Sequence, residues 1–339
     1  MRLLTMTGVA MVAFGPIPPL LKGNFFLAVD VEAEHIAAAV HDVDTDSETK
    51  EGEMKTIGLI VNFKKEQAVE SVKHVASLAA GMGFTVLSEA RAAALCPTLQ
   101  ECPIASFAQR GAEAVVVLGG DGTMLDASHQ LAGQRLPLMG LNIGSLGYLT
   151  SVEAHQFADA LQQLREDRCG VSLRSALAVR VLHKEGSCVA LPDALNDVVA
   201  NHGATAHAVE VELLLDEKPV ANFLCDGIIV ATPTGSTAYS LAAGGPILLP
   251  EAQALVISLI CPHTLTSRPL VMRDTARIAI RVITCDVPMI LSSDGRDDEP
   301  LFEGDRVEIV RSPHDVPVIE LHGYNPCDVL RRKLRWGGR

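Results

Sequence analysis

Residues 117–126 read VLGGDGTMLD, and this stretch decides the fold. The run Val115, Val116, Val117 and Leu118 is apolar and mostly β-branched, as a strand buried on both faces requires. After Gly122 the pattern turns helical, with Met124, Leu125 and Leu131 available for one face. Asp121 therefore stands at the carboxyl end of a buried strand, where an open α/β sheet forms its ligand crevice. Two readings of this carboxylate are open from the residues alone. It is a general base for a substrate hydroxyl, or it is a helix N-cap.

Working outward, the same alternation recurs. TIGLIVNF (56–63) reads as a strand, and residues 66–80 as an amphipathic helix with Val69, Val72, Val75 and Leu78 at helical spacing. Gly81 and Gly83 stop that helix, and FTVLS (84–88) is a second strand. PLMGLNIG (137–144) follows the central helix as another. Strand–helix alternation predicts a doubly wound, mostly parallel α/β domain. Beyond about residue 170 the period changes: HAVEVELLL (207–215), RIAIRVIT (277–284), RVEIVRS (306–312) and PVIELHG (317–323) alternate with period two. Short strands with few helices predict a β-rich, sandwich-like carboxyl-terminal domain. The boundaries drawn are an α/β domain over 54–150, a β-rich domain over 151–321, and a terminal segment over 322–339. That segment carries the basic amphipathic helix CDVLRRKLRWG (327–337), expected to pack back on the amino-terminal domain.

With 339 residues, 48% hydrophobic and 20% charged, the chain can bury two ordinary cores. A formal charge of −13 argues against nucleic acid or an anionic membrane surface as partner, and aromatics at 4% offer few base-stacking platforms. Eight cysteines are scattered without a C-x-x-C pair, which suits reduced thiols in the cytoplasm. Cys261 and His263 come nearest to a metal pair, and two ligands make no site, so no protein-held metal is expected. The first 53 residues differ from the rest. MRLLTMTGVAMVAFGPIPPLL (1–21) resembles a short signal peptide and is too short and proline-broken to span a membrane. DVDTDSETKEGE (42–53) reads as a solvated connector. The folded part is expected to begin at Met54, with 1–53 a disordered extension or a miscalled start.

No G-x-x-x-x-G-K-[ST] loop, third dinucleotide-fingerprint glycine, G-x-S-x-G elbow or H-E-x-x-H occurs. Three glycine-rich turns do: Gly119, Gly120 and Gly122; NIGSLGYL (142–149); and Thr234 to Thr237 in CDGIIVATPTGSTAYSLAAGGPIL (225–248). Each is an ordinary cap or turn by itself, while three in one chain, two directly after buried strands, favour nucleotide phosphates. Asp121 among such amides would repel phosphate unless Mg²⁺ intervenes or it faces a hydroxyl. Asp226 and Asp294 pose the same choice, and Asp294, in an Asp-Gly pair, reads as a turn residue.

Taken together, GGDGT (119–123), NIGSLGYL, NDVV (196–199), DGIIVATPTGSTAYSLAAGGPI (226–247), CPHTLTSRPLV (261–271) and LRRKLRWG (330–337) make the chain resemble the bacterial NAD kinases. GGDGT is shared with diacylglycerol, sphingosine and 6-phosphofructo-kinases; the long Thr-Pro-Thr-Gly-Ser-Thr-Ala-Tyr-Ser run with CPHTL is specific. The resemblance covers Met54 to Gly338. It implies transfer of the ATP γ-phosphoryl group to the adenosine 2′-hydroxyl of NAD, giving NADP, in a cleft between the two domains. It implies Asp121 as proton acceptor and NAD contact, with Gly122 beside it. For the nucleotide it implies Asn196, Asp197, His207, Asp226, Thr237, Ala238, Tyr239, Ser240, Leu241, Ala242 and Arg296. Asp197 replaces the commoner Glu and reaches one methylene less far, Arg296 replaces a Gln, and His129 replaces an Arg. Mg²⁺ or Mn²⁺ with ATP, polyphosphate as a second donor, and a homodimer or homotetramer completing the site also follow from the resemblance.

Overall fold

The computed structural model describes residues 55–339 apart from 145, 151, 204–207 and 337–339, together with the antiparallel pair Leu4–Met6 and Val9–Met11. That pair belongs to a separate unit, Met1–Glu53, and the reading of 1–53 as an extension or a miscalled start lies outside the described residues.

In the second unit, β1 (Thr56–Val61), β2 (Thr85–Ser88), β3 (Leu99–Glu101), β4 (Ala114–Gly119) and β5 (Leu138–Asn142) pair in parallel, in the spatial order β3-β2-β1-β4-β5. The two faces of β4 explain its unbroken apolar run. Val116 and Leu118 pack under α1 (Ala68–Gly81) and α3 (Phe157–Arg165), whereas Val115 and Val117 pack with Met124, Leu125 and Ala127 of α2 (Asp121–Gln130). Each such buried side chain contributes about 1.5–3 kcal/mol, so β4 is held from both sides.

The α/β sheet does not end at residue 150. Val316–Glu320 lies parallel beside β5, and Gly170–Arg174 lies antiparallel beside that strand. A period-two run has the same appearance in either sheet, which is why PVIELHG reads from sequence as part of the β-rich domain, and Gly170–Arg174 falls within the bounds drawn for that domain.

The β-rich part is two six-stranded antiparallel sheets packed face to face. One runs Cys188–Ala194, Leu177–Leu182, Arg306–Arg311, Ile278–Thr284, Val209–Leu215, Lys218–Cys225. In the other, β6 (Asp197–Asn201) and β7 (Gly227–Ala231) are the central pair, flanked by Ala254–Ile260 and Leu270–Arg273 on one side and Met289–Ser293 and Arg296–Leu301 on the other. Val198, Ala200, Ile228 and Val230 face the sandwich core, while Val199, Ile229 and Ala231 face outward beneath Ala243 and Leu248. The outer cover makes GIIVA apolar throughout, unlike the alternating strands around it.

The chain closes with α4 (Pro326–Leu334). Its N-cap Asn325 accepts a hydrogen bond from Cys327 N at 2.9 Å, Pro326 occupies the first turn, and Arg331, Arg332 and Lys333 occupy the last, where cations suit the helix dipole. Val329 and Leu330 pack on Tyr148, with Ile247, Tyr324 and Leu334 around them. The helix thus touches both the turn after β5 and the segment that follows β7.

Candidate active site

Asp121 is the first residue of α2, and Gly120 is its N-cap. The N-cap reading is therefore corrected: the turn is closed by Thr123, whose Oγ1 accepts from Gly120 N at 3.3 Å and from Asn62 Nδ2 at 3.0 Å. The Asp121 carboxylate turns instead to the loop after β5. Oδ2 accepts from Tyr148 N at 2.8 Å; Oδ1 accepts from Leu149 N at 2.8 Å, Thr150 N at 3.1 Å and Thr150 Oγ1 at 3.3 Å. From α4, Lys333 Nζ donates to Oδ2 at 3.2 Å. Burial pushes this carboxyl up. The hydrogen bond from Tyr148, the Lys333 charge and the Leu149 and Thr150 amides outweigh it and hold it below the ordinary value. Asp121 is an ionised carboxylate with an accessible edge, its side chain 30% exposed.

Two of the three glycine-rich turns therefore interlock. The amides at 148–150, expected to face phosphate, are spent on Asp121, which removes the repulsion that the sequence pattern implied. Gly147 permits the approach, since a Cβ there would stand 2.0 Å from Asp121 Oδ1. Asn142 holds the loop shut, donating from Nδ2 to Thr150 O and Oγ1 at 3.1 Å and accepting from Gly144 N at 2.7 Å.

Asp294, read as a turn residue, repeats this arrangement. Its carboxylate accepts from Leu195 N at 2.8 Å, Asn196 N at 2.7 Å and Asp197 N at 3.2 Å, with His129 Nε2 at 2.9 Å. The side chain is fully buried, and its φ of 52° with 71° at the following Gly295 gives the turn its left-handed shape. His129 and Asp126, one helical turn apart on α2, both reach this region, since Asp126 pairs with Arg296. The helix that carries Asp121 is thereby bolted to the strand end carrying Asn196 and Asp197.

The third turn differs from its sequence reading. Thr232 Oγ1 donates to Leu195 O at 2.6 Å, Ser236 Oγ to Pro233 O at 2.6 Å, and Thr237 Oγ1 to Thr234 O at 3.0 Å. Ser240 is buried with its hydroxyl 2.9 Å from that of Ser258. These hydroxyls shape the turn, and a helix of four residues, Tyr239–Ala242, follows it. Gly235 presses on Asn196, where a Cβ would meet the carbonyl oxygen at 2.0 Å. Tyr239 stands 43% exposed beside them, Ala242 is exposed, and Thr237, Ala238 and Leu241 are half-buried. Asp197 is buried; desolvation first, then the Asp294 charge, push its carboxyl up to about 7, against a hydrogen bond from the Tyr239 amide.

Asp226 lies apart from this group. The register pairs Asp197 with Ala231 and Asn201 with Gly227, so Asp226 is at the opposite end of the strand pair, roughly 15 Å away at about 3.3 Å per residue. Its neighbours are His202, with Nε2 4.0 Å from Oδ2, and Cys261, whose thiol is raised by its hydrogen bond to the carboxylate. His207 lies outside the described residues. Among the described residues, His183, Glu185 and Asp305 are the group of three close enough to share an ion, and they sit on the sandwich, away from Asp121. Among those residues no helix is long and apolar enough to cross a membrane. Lys333, Thr150 and the clasping role of Asp294 escaped sequence reading. The one available signal was the basic last turn of the terminal helix, and a basic turn is ordinarily solvated.

Family models match both halves of the chain: the ATP-NAD kinase N-terminal domain over residues 57–169 and the ATP-NAD kinase C-terminal domain over 195–321. The NAD kinase of Koribacter versatilis is 36% identical over 286 residues, covering 84% of this chain and all of that one. That of Desulforamulus reducens is 37% identical over 286 residues, covering 83% of this chain and 98% of its own. In fold, the chain is similar to a yeast NADH kinase complexed with NADH, with a TM-score of 0.76, 21% identity and coverage of 85% and 90%. It is also similar to an NAD kinase from Archaeoglobus fulgidus in complex with ATP, with a TM-score of 0.65, 23% identity and coverage of 83% and 99%.

Proposed function

We propose a division of labour among these residues from a premise the matches establish: the chain belongs to the ATP-NAD kinase family. Its reaction is the ATP-dependent phosphorylation of NAD. The acceptor is the 2′-hydroxyl of the adenosine ribose, which approaches the exposed edge of Asp121. As the oxygen–phosphorus bond forms, the bond from the γ-phosphorus to the bridging oxygen breaks, ADP departs with the electron pair, and the hydroxyl proton passes to Asp121. The observation that carries this reading is the ionised, accessible carboxylate at the end of β4. A base of low pKa suits phosphoryl transfer, where the hydroxyl loses its proton late and positioning does most of the work.

Gly119, Gly120 and Gly122 border the place left for the phosphates. The divalent metal, Mg²⁺ or Mn²⁺, enters with ATP as part of the substrate, because the carboxylates of α2 already pair with cations, Asp121 with Lys333 and Asp126 with Arg296. Asn196, Asp197 and the exposed Tyr239 hold the nucleoside, with Thr237, Ala238, Leu241 and Ala242 around it. Asp226, at the far end of the strand pair, serves a second copy's nucleotide in a homodimer or homotetramer. We place the reaction in the cytoplasm.

The test incubates purified protein with NAD and Mg²⁺-ATP or polyphosphate and reads NADP with an NADP-specific dehydrogenase. Asp121→Asn should lose about 10²–10⁴-fold in kcat with NAD binding nearly unchanged, since general-base catalysis has that size. Near-normal kcat in that variant overturns the base. Absence of NADP from the unaltered protein with either donor overturns the reaction.

A further inference from the structure

We propose that Lys333 is a catalytic residue, a cation that passes from Asp121 to the transferring phosphoryl group during the reaction. The inference rests on the reading of Asp121 as the proton acceptor. Lys333 Nζ donates to Oδ2 at 3.2 Å, the oxygen that among the described residues otherwise accepts from Tyr148 N alone, whereas Oδ1 accepts from three donors. An incoming hydroxyl therefore meets the carboxylate on the side where Lys333 sits.

The movement of charge gives the ammonium its task. Before transfer, Asp121 is anionic and pairs with Lys333. As the 2′-hydroxyl proton arrives on Asp121, the carboxyl becomes neutral and its hold on the ammonium weakens. In the same step negative charge gathers on the γ-phosphoryl oxygens and on the departing ADP. Lys333 moves its hydrogen bonds from the neutralised acid to those oxygens. In many active sites a preorganised donor aimed at developing charge stabilises the transition state more than any other group does. This chain has no P-loop lysine to fill that role.

The position of Lys333 does not depend on its own ion pair. Val329 and Leu330 seat α4 on Tyr148, and Arg332 pairs with Glu153 alongside. Helix α4 is thus fixed on the loop that feeds Asp121, and its last turn delivers the ammonium. Replacing the lysine should leave the helix in place and remove only the charge.

The experiment compares Lys333→Met, Lys333→Arg and Lys333→Ala with the unaltered protein and Asp121→Asn in the NADP assay. Lys333→Met should lose about 10²-fold or more in kcat, the usual cost of one such donor, with KM for NAD changed less than about threefold. Lys333→Arg should recover part of the loss. Added ethylammonium should restore Lys333→Ala by about tenfold or more, which a purely structural lysine would not allow. A kcat for Lys333→Met within about threefold of normal overturns the proposal, as does a loss in Lys333→Ala that ethylammonium leaves untouched. Normal Asp121→Asn turnover would overturn the base reading instead, so the two failures are told apart.

Discussion

Asp121 and Asp294 are built alike and serve different ends. Each sits in an Asp-Gly pair after a strand, and each carboxylate collects three consecutive backbone amides, from residues 148–150 and 195–197. Asp294 receives a histidine as its fourth partner and is sealed from solvent. Asp121 receives a lysine and keeps an open edge. An amide clasp alone therefore makes neither a catalyst nor a bolt. Exposure of the carboxylate and the chemistry of its fourth partner separate the two.

Removing the sealed clasp should have the largest effect on stability. Asp294→Ala leaves three amides without this acceptor and removes one partner of His129, and breaking a buried charged network costs about 3–5 kcal/mol. Urea unfolding should show that loss, with kcat falling less than in Asp121→Asn; unchanged stability would break the comparison. Crowding the open clasp is the next test. Gly147→Ala sets a methyl against Asp121 Oδ1, so kcat should fall about 10–100-fold as the carboxylate is displaced. Unchanged turnover would show that its geometry is not set by this contact.

Asp197 gives the smallest effect and a sign that pH reveals. Its folded value of about 7 lies above the ordinary 3.8, so its contribution to stability is intact below about pH 4 and is lost as pH rises through 7. Asp197→Asn should therefore gain about 1–2 kcal/mol over the unaltered protein at pH 8 and almost nothing at pH 4, read from thermal midpoints. A gain independent of pH would show that neither burial nor the Asp294 charge raises this carboxyl.

Much of the architecture was legible in the chain because buried strands and helices announce themselves by period. VVVL before Gly119, the spaced valines of α1 and the alternating runs after residue 170 each carried enough local pattern to state their element. Val316–Glu320 was not assigned to the right sheet, because alternation over a few residues does not say which sheet a strand joins; its partners lie in β5 and in Gly170–Arg174. The site was legible only as a set of motifs. The turn Thr234 to Thr237 read as one of three favouring nucleotide phosphates, and the hydroxyls of Thr232, Ser236, Thr237 and Ser240 turn out to bond within or beside that turn.

The sequence by itself determined the two kinds of sheet, the glycine-flanked aspartate at a strand end, and the resemblance that pointed to NAD. Local pattern suffices there, since strand, helix and tight turn depend on neighbours a few residues apart. Only the tertiary structure decided which partners each carboxylate has. Asp121 meets residues 27, 28, 29 and 212 positions away, and Asp294 meets an amide 99 positions away and a histidine 165 away. Charge, access and reactivity follow from those long-range contacts, and no local pattern encodes them.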